Sequence, residues 1–273
     1  MSDFYYKNSN GVVTLHCRAL DEIKGLSHCF TTRQGGISTG HLSSMNLSFS
    51  REERSVVEEN YRRLCQAEGF CMERMTLTDQ THTARVRLVD ERSAGMGMSK
   101  ESDIRETDGL ITSLSQTPLA VFVADCAPIL MCDTITGAIA AVHSGWRGTR
   151  EGIAAVALDK MNKQFGTQAK DVIAAVGPCI DKCCYEVGED FRAEWNRSDD
   201  AQFFTSTSNG KYLFDLKGAN RQVLEKAGVG EIYICKECTC CQSELLFSHR
   251  ATKGKRGNMA GIIQITKEEV CTK

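Results

Sequence analysis

The sequence predicts an α+β fold. Eight short runs rich in Val, Ile and Leu read as strands, and four longer segments carry helical periodicity. The two kinds are mixed without the strict alternation of a doubly wound sheet. The 273 residues contain no internal repeat and no linker rich in Pro, Gly or Ser, so one domain over 1–273 is expected.

In chain order, Val12–Cys17 and Leu26–Thr31 are the first strands. A helix over 51–68 places Val57, Tyr61, Leu64 and Cys65 on one face and stops at Gly69. Residues 92–107 form an exposed polar connection. Strands follow at 119–125, 129–132 and 138–143. A second helix, 150–165, turns Ile153, Val156, Ala157 and Met161 inward. Then come a strand at 173–176, a helix at 188–195 and a polar stretch at 196–211. The fourth helix starts at the N-cap Asp215, carries Leu216, Ala219, Val223 and Ala227 inward, and ends at Gly228. Strands at 232–235 and 261–265 close the chain.

Charge excludes some function classes. With 33 Lys+Arg against 35 Asp+Glu, the net charge is -2, which offers nothing to a nucleic acid or an anionic membrane. No apolar run reaches the roughly 18 residues of a membrane span. The N-terminus lacks a basic start and apolar core, so no signal peptide is read. A reducing, cytoplasmic setting is therefore expected, and the 14 Cys are read as thiols, mostly small buried hydrophobes.

The most informative segment is 120–148, AVFVADCAPILMCDTITGAIAAVHSGWRG, read as a β-hairpin turning at Asp133-Thr134-Ile135-Thr136-Gly137. A two-residue loop at Thr134-Ile135 pairs Cys126 with His143. A loop over 134–137 pairs Pro128 with His143 and leaves Cys126 diagonal to it. Pro128 cannot donate to a ladder, so pairing is expected to break near Cys126. A thiol and an imidazole brought together have three readings: coincidental packing, a nucleophilic pair, or two ligands of a metal such as zinc. Catalytic zinc needs a third protein ligand, which spacing does not supply; the remaining histidines are His16, His28, His41, His82 and His249.

Gly145-Trp146-Arg147-Gly148 opens a helix, and Arg33 sits beside Gly35-Gly36; both are candidate anion sites. Cys235, Cys238, Cys240 and Cys241 form C-x2-C-x-C-C, half of a zinc-ribbon pattern with no matching second pair. Adjacent Cys183-Cys184 does not have the normal spacing of that half, so buried thiols are expected there. Pro178-Cys179 followed by Cys183 nearly matches a zinc nucleobase deaminase, but the partner H-x-E is absent because Ser144-Gly145 follows His143. There is no P-loop and no G-x-G-x-x-G after a strand.

Taken in order, these segments resemble a family. Phe30-Thr31-Thr32-Arg33-x-Gly35-Gly36, Met45-Asn46-Leu47, Asp79-Gln80-x-His82, Asp108-Gly109-Leu110, Ala124-Asp125-Cys126-x-Pro128 and His143-x-Gly145-Trp146-Arg147-Gly148 run through the first half. Gly177-Pro178-Cys179-Ile180, Cys184-Tyr185-Glu186-Val187, Cys238-Thr239-x-Cys241 and Phe247-Ser248-His249-Arg250 continue it. The chain resembles the laccase-domain (YfiH-like) family over nearly its whole length. It departs at Gln80-Thr81-His82-Thr83, where the family often has Gln-Val-His-Gly, and at Gly257-Asn258, where it has Gly-Arg.

The resemblance implies layered mixed β-sheets flanked by helices. It implies a zinc-dependent purine nucleoside phosphorylase acting on adenosine, inosine and methylthioadenosine, with adenosine deaminase activity in the same site. It puts the metal ligands and catalytic set on His82, Cys126 and His143, with purine nucleosides and phosphate as partners. Copper and the older polyphenol-oxidase description fit less well, since six scattered His cannot build a multicopper centre. Arg33 and Arg147 are the phosphate candidates, Asn46 and Gln80 the ribose or base candidates, and Arg62 and Arg250 further substrate candidates. The alternative is a Cys–His hydrolase or deamidase acting on an amide, such as a cell-wall precursor. Cys126 would be its nucleophile, His143 its base and His82 or Asp125 the orienting group. A third class is a non-catalytic metal-binding protein.

Overall fold

A computed structural model describes residues 2–266. Two six-stranded sheets form its centre. The first runs in the order Phe4–Ser9, Val12–Cys17, Leu26–Thr31, Met259–Ile265, Leu119–Val123, Thr76–Leu77. The second runs Glu231–Ile234, Val172–Val176, Ala127–Asp133, Ile139–Ser144, Gly109–Thr112, Val86–Leu88. A small three-stranded sheet of Glu186–Val187, Tyr212–Phe214 and Phe204–Ser206 lies apart.

Side-chain alternation explains the layering. Leu119 and Val121 of the first sheet meet Leu130, Cys132, Ile139 and Ala141 of the second in one core between the sheets. The alternate residues Ile129, Met131, Ala140 and Val142 face outward onto the helices Ile153–Phe165 and Leu216–Lys226. Ala120, Ala260 and Ile262 face the helix Arg54–Glu68 through Val57, Tyr61 and Leu64. The central strands are buried on both faces, so they read as continuous apolar runs. The α+β class and the layering expected from the sequence are both present. Among the described residues, no helix is long and apolar enough to cross a membrane.

Several boundaries differ from expectation. The expected helix over 150–165 is two helices, Trp146–Glu151 and Ile153–Phe165, because Gly152 adopts a left-handed conformation at φ 75° between them. Its inner face is Ile153, Ala154, Ala157, Leu158 and Met161, and Val156 is exposed. The first helix begins at Arg54 rather than 51. The strand Phe4–Ser9 was missed, although Asn10-Gly11, at φ 54° and 86°, is the turn that pairs it with Val12–Cys17. The other missed strands, such as Thr76–Leu77 and Glu186–Val187, are too short to show a period.

The loop after Val172–Val176 presses its backbone on Phe30. A Cβ on Gly177 would lie 2.2 Å from Phe30 Cδ1. Gly177→Ala is therefore expected to destabilise the protein by about 1–3 kcal/mol, the range for overpacking a core. A urea melt checks it; an unchanged midpoint would show that the ring can move aside.

Candidate active site

The chain passes from the first sheet to the second through three residues, Ala124-Asp125-Cys126. Asp125 takes φ 91°, a costly conformation for a residue with a Cβ. Its carboxylate is held from outside: it accepts from Thr239 Oγ1 at 2.6 Å and from the Arg250 backbone N–H at 2.7 Å. This kink presents Cys126 at the sheet ends. In the adjoining hairpin Pro128 pairs with His143, so the four-residue loop is the one formed and Cys126 lies diagonal to His143. The ladder ends at Ala127↔Ser144, one residue short of Cys126.

His143 is buried, and its Nδ1 lies 2.7 Å from Asp108 Oδ1. Asp108 is fully buried and accepts from every donor around it. The backbone N–H groups of Thr81, His82 and Thr83 reach it at 3.2, 3.0 and 2.9 Å, and Thr83 Oγ1 at 2.9 Å. One carboxylate thus fixes the His143 ring, with the proton on Nδ1, and the turn carrying His82. His82 itself is left-handed at φ 63°, a strain this net of bonds maintains. The two imidazoles meet edge to face at 4.9 Å.

The donor atoms of His82, Cys126 and His143 all lie within 4.8 Å of one another. Gly145 runs beneath them, where a Cβ would sit 2.7 Å from His82 Nδ1 and 3.1 Å from Cys126 Sγ. Only glycine leaves room for the triad there. A thiolate with two neutral imidazoles, one backed by a buried carboxylate, fits a zinc or copper ion.

Without a metal the same groups form an ion pair. Burial raises the Cys126 thiol, but the His143 charge and hydrogen bond, then those of His82, outweigh it and bring the pKa down to about 6. Burial lowers His143, yet Cys126 and Asp108 raise it to about 9. Metal-free protein is therefore expected to alkylate at Cys126 with a rate that climbs with pH to a plateau, with a midpoint near 6. Cys65 and Cys132, both raised to about 12 by burial, should stay unreacted. Peptide mass mapping after iodoacetamide reads this directly; a Cys126 midpoint near 9 would contradict it.

Two cavities of about 460 and 390 Å³ share His82, Ala124, Cys126 and Arg256 as walls, and His143 lines the first of them. The first is lined by Phe49, Phe122, Ser48 and Asn258, the second by Trp146, Arg147, Tyr185 and Arg250.

The expected substrate residues divide. Arg147 and Arg250 line the second cavity, with Arg250 also donating to the Glu186 carbonyl at 2.9 Å. Gln80 lines the first, but its amide is spent on the Phe122 backbone, accepting at 2.6 Å and donating at 2.7 Å. It ties the His82 turn to the strand leading to Cys126. Asn46 is fully buried and pins Ser48 and Asn258 rather than facing a cavity. Arg33 donates to the carbonyls of Ser43 and Ser243 at 2.8 and 2.7 Å and stacks on Phe247, so it is a loop staple. Arg62 lies on an exposed helix face beside Glu59, in a different depression. Asp125 is not the orienting group of His143; Asp108 is.

Two functional candidates were missed. Asp108 appeared only inside a motif, with nothing in its spacing to tie it to His143. Arg256 walls both cavities with a buried Nε that has no hydrogen-bond partner among the described residues. The family's Gly-Arg pair directs attention to position 258, which is Asn here, and away from 256.

The fold and site define a layered α+β protein with a metal-competent Cys–His triad at the sheet ends. The family model described as multi-copper polyphenol oxidoreductase laccase matches residues 27–266, and the chain belongs to this laccase-domain family. Purine nucleoside phosphorylase YlmD of Geobacillus stearothermophilus is 33% identical over 270 residues, covering 96% of this chain and 97% of that protein. The crystal structure of YlmD from the same organism superposes with a TM-score of 0.89 at 32% identity, over 98% of this chain and all of that one. A protein named adenosine deaminase RL5, from an unknown prokaryotic organism, is 34% identical over 190 residues, 67% of this chain and 71% of that protein.

Proposed function

We propose that this protein is a zinc-dependent purine nucleoside phosphorylase that converts adenosine, inosine or methylthioadenosine and phosphate to the free base and the ribose-1-phosphate. Adenosine deamination would occur in the same site. One observation carries the reading: His82 and Cys126 of the triad lie on the wall shared by two cavities, and His143 lines the first. Each cavity is within the usual range of about 300–1,000 Å³ for small-ligand sites. Only the second is walled by Arg147 and Arg250 as well as Arg256. The names of the relatives support the substrate class.

His82, Cys126 and His143 would hold the zinc, which when bound would supply Lewis-acid chemistry. The rest falls to the chain. Arg147, Arg250 and Arg256 hold phosphate in the second cavity. Phe49 and Phe122 offer the flat apolar face a purine needs in the first, with Ser48 and Asn258 at its polar edge. A phosphate oxygen then forms the bond to C1′ as the C1′–N9 bond breaks, and the purine leaves with that electron pair and takes a proton. Holding the phosphate anion against the developing ribosyl cation is the electrostatic work of the arginines. In deamination, water oxygen bonds to C6 of adenosine and the amino group departs as ammonia.

The test is adenosine in phosphate buffer with zinc-loaded protein and chromatography of the products. Adenine with ribose-1-phosphate is expected, with inosine alongside. No turnover of adenosine or inosine would overturn the reading. The second reading, a Cys–His hydrolase, is favoured by the lowered Cys126 thiol, the raised His143 and the Asp108 that orients it. It predicts an activity toward amides that survives chelation and is lost on alkylation.

A further inference from the structure

We propose that Cys183, Cys184, Cys238 and Cys241 form a second metal site, a structural tetrathiolate centre for zinc that clasps two wall segments of the active site together. The sequence reads Cys235, Cys238, Cys240 and Cys241 as half a zinc-ribbon pattern with no second pair, and so as buried thiols, but Cys241 is exposed and Cys240 only half-buried. The fold instead takes Cys238 and Cys241 and adds the adjacent pair Cys183-Cys184, whose spacing argued against it.

The sulfur geometry is the main argument. All four Sγ atoms lie within 4.8 Å of one another. Cys241 Sγ is 3.4 Å from both Cys183 Sγ and Cys184 Sγ, and these two are 3.7 Å apart. Zinc–sulfur bonds of about 2.3 Å in a tetrahedron put the sulfurs about 3.8 Å apart. A disulfide would draw Cys241 toward one partner at about 2.05 Å, not leave it equidistant from two. Four neutral thiols gain little from converging in this way, whereas four thiolates need a shared cation.

The backbone is arranged around the cluster. Cys179 and Cys238 form a parallel bridge, and the Thr239 N–H donates to the Cys179 carbonyl at 3.1 Å. The Gln242 N–H donates to the Cys238 carbonyl at 3.0 Å, closing the turn that sets Cys238 and Cys241 on one side. The Asp181 N–H points at Cys238 Sγ at 3.4 Å, a donor that favours thiolate. Cys183 and Cys241 are exposed, giving a metal a way in.

The two joined segments also serve the first site. One carries Ile180 and Tyr185; the other leads through Thr239, bonded to Asp125, toward Arg250. Arg250 closes the loop by donating to the Cys184 carbonyl at 3.2 Å. The centre is structural, since its sulfurs line neither cavity.

The test starts from Cys126→Ala, which removes a thiol of the first site and isolates the second. Expressed with zinc and purified without oxidant, this variant is expected to retain one zinc per chain. Its cobalt-exchanged form should show the intense thiolate charge-transfer and visible bands of a tetrahedral tetrathiolate. Adding Cys238→Ser and Cys241→Ser should lose that zinc and those bands. The cobalt spectrum of the single variant decides the matter even if the triple variant does not fold. A zinc-free Cys126→Ala protein, or a disulfide joining two of the four cysteines, would overturn the proposal. Neither result would touch the proposed reaction, which is read on wild-type protein.

Discussion

Cys126→Ala is expected to abolish the proposed phosphorolysis and deamination together while leaving the protein folded. Cys126 supplies the only anionic donor of the triad, and without it two neutral imidazoles face the ion alone. The thiol sits half-buried on the crossing between the sheets, outside the ladder that ends at Ala127, so truncation removes little packing. Zinc content at the triad and both product yields should fall to background, while the melting temperature of the metal-free protein shifts little. Cys71→Ala is the control: that thiol lies beside Glu73, away from both cysteine clusters, and its loss should leave turnover at the wild-type rate. Either activity surviving in a variant shown to lack metal at the triad would remove zinc from the proposed reaction.

Local chemistry in the sequence reached much of this site, and long-range chemistry did not. The hairpin was visible because its two apolar runs flank a turn ending in Gly137, which is left-handed at φ 72°. The loop length could not be chosen between two registers, yet both put Cys126 near His143. His82 reached the site only through the family resemblance: it stands 44 residues before Cys126, counted from its position, and no periodicity links the two. The arginines show the same limit. Arg147 stands three residues after the site strand and lines the second cavity. Arg33 sits beside Gly35-Gly36 in sequence, while its partner in space is the carbonyl of Ser243, 210 residues away. Arg62 pairs locally with Glu59 on an exposed helix face, away from the triad cavities. Helix faces were legible where the stripe was regular, as in Val57, Tyr61, Leu64 and Cys65, and misphased where alanines on both sides blur it, as at Val156.

Asp108→Asn is expected to weaken metal binding and loosen the His82 turn, because no orientation of the amide satisfies its neighbours. Oδ1 accepts from His143 Nδ1 and the His82 N–H, and Oδ2 from the Thr81 and Thr83 N–H groups and the Thr83 hydroxyl. If the amide nitrogen takes the Oδ1 place, it meets donors and forces His143 to hold its proton on Nε2, the atom needed for the metal. If it takes the Oδ2 place, the backbone donors of the turn are left unpaired, at about 1–3 kcal/mol for each buried group. Loss of such a carboxylate typically lowers metal affinity about 10–100-fold. Competition with a chelating dye should read that loss, alongside a lower melting temperature. Acid behaviour gives a second readout. Burial raises Asp108, but the His143 hydrogen bond and the donors of the turn bring its pKa below the usual 3.8. A lowered carboxylate adds stability above its unfolded pKa and surrenders it as pH falls through the folded one. That part of the acid sensitivity should vanish in Asp108→Asn, so its stability deficit against wild type should narrow below pH ~4. Unchanged metal affinity with a parallel acid titration would show that His143 is oriented by the strand alone.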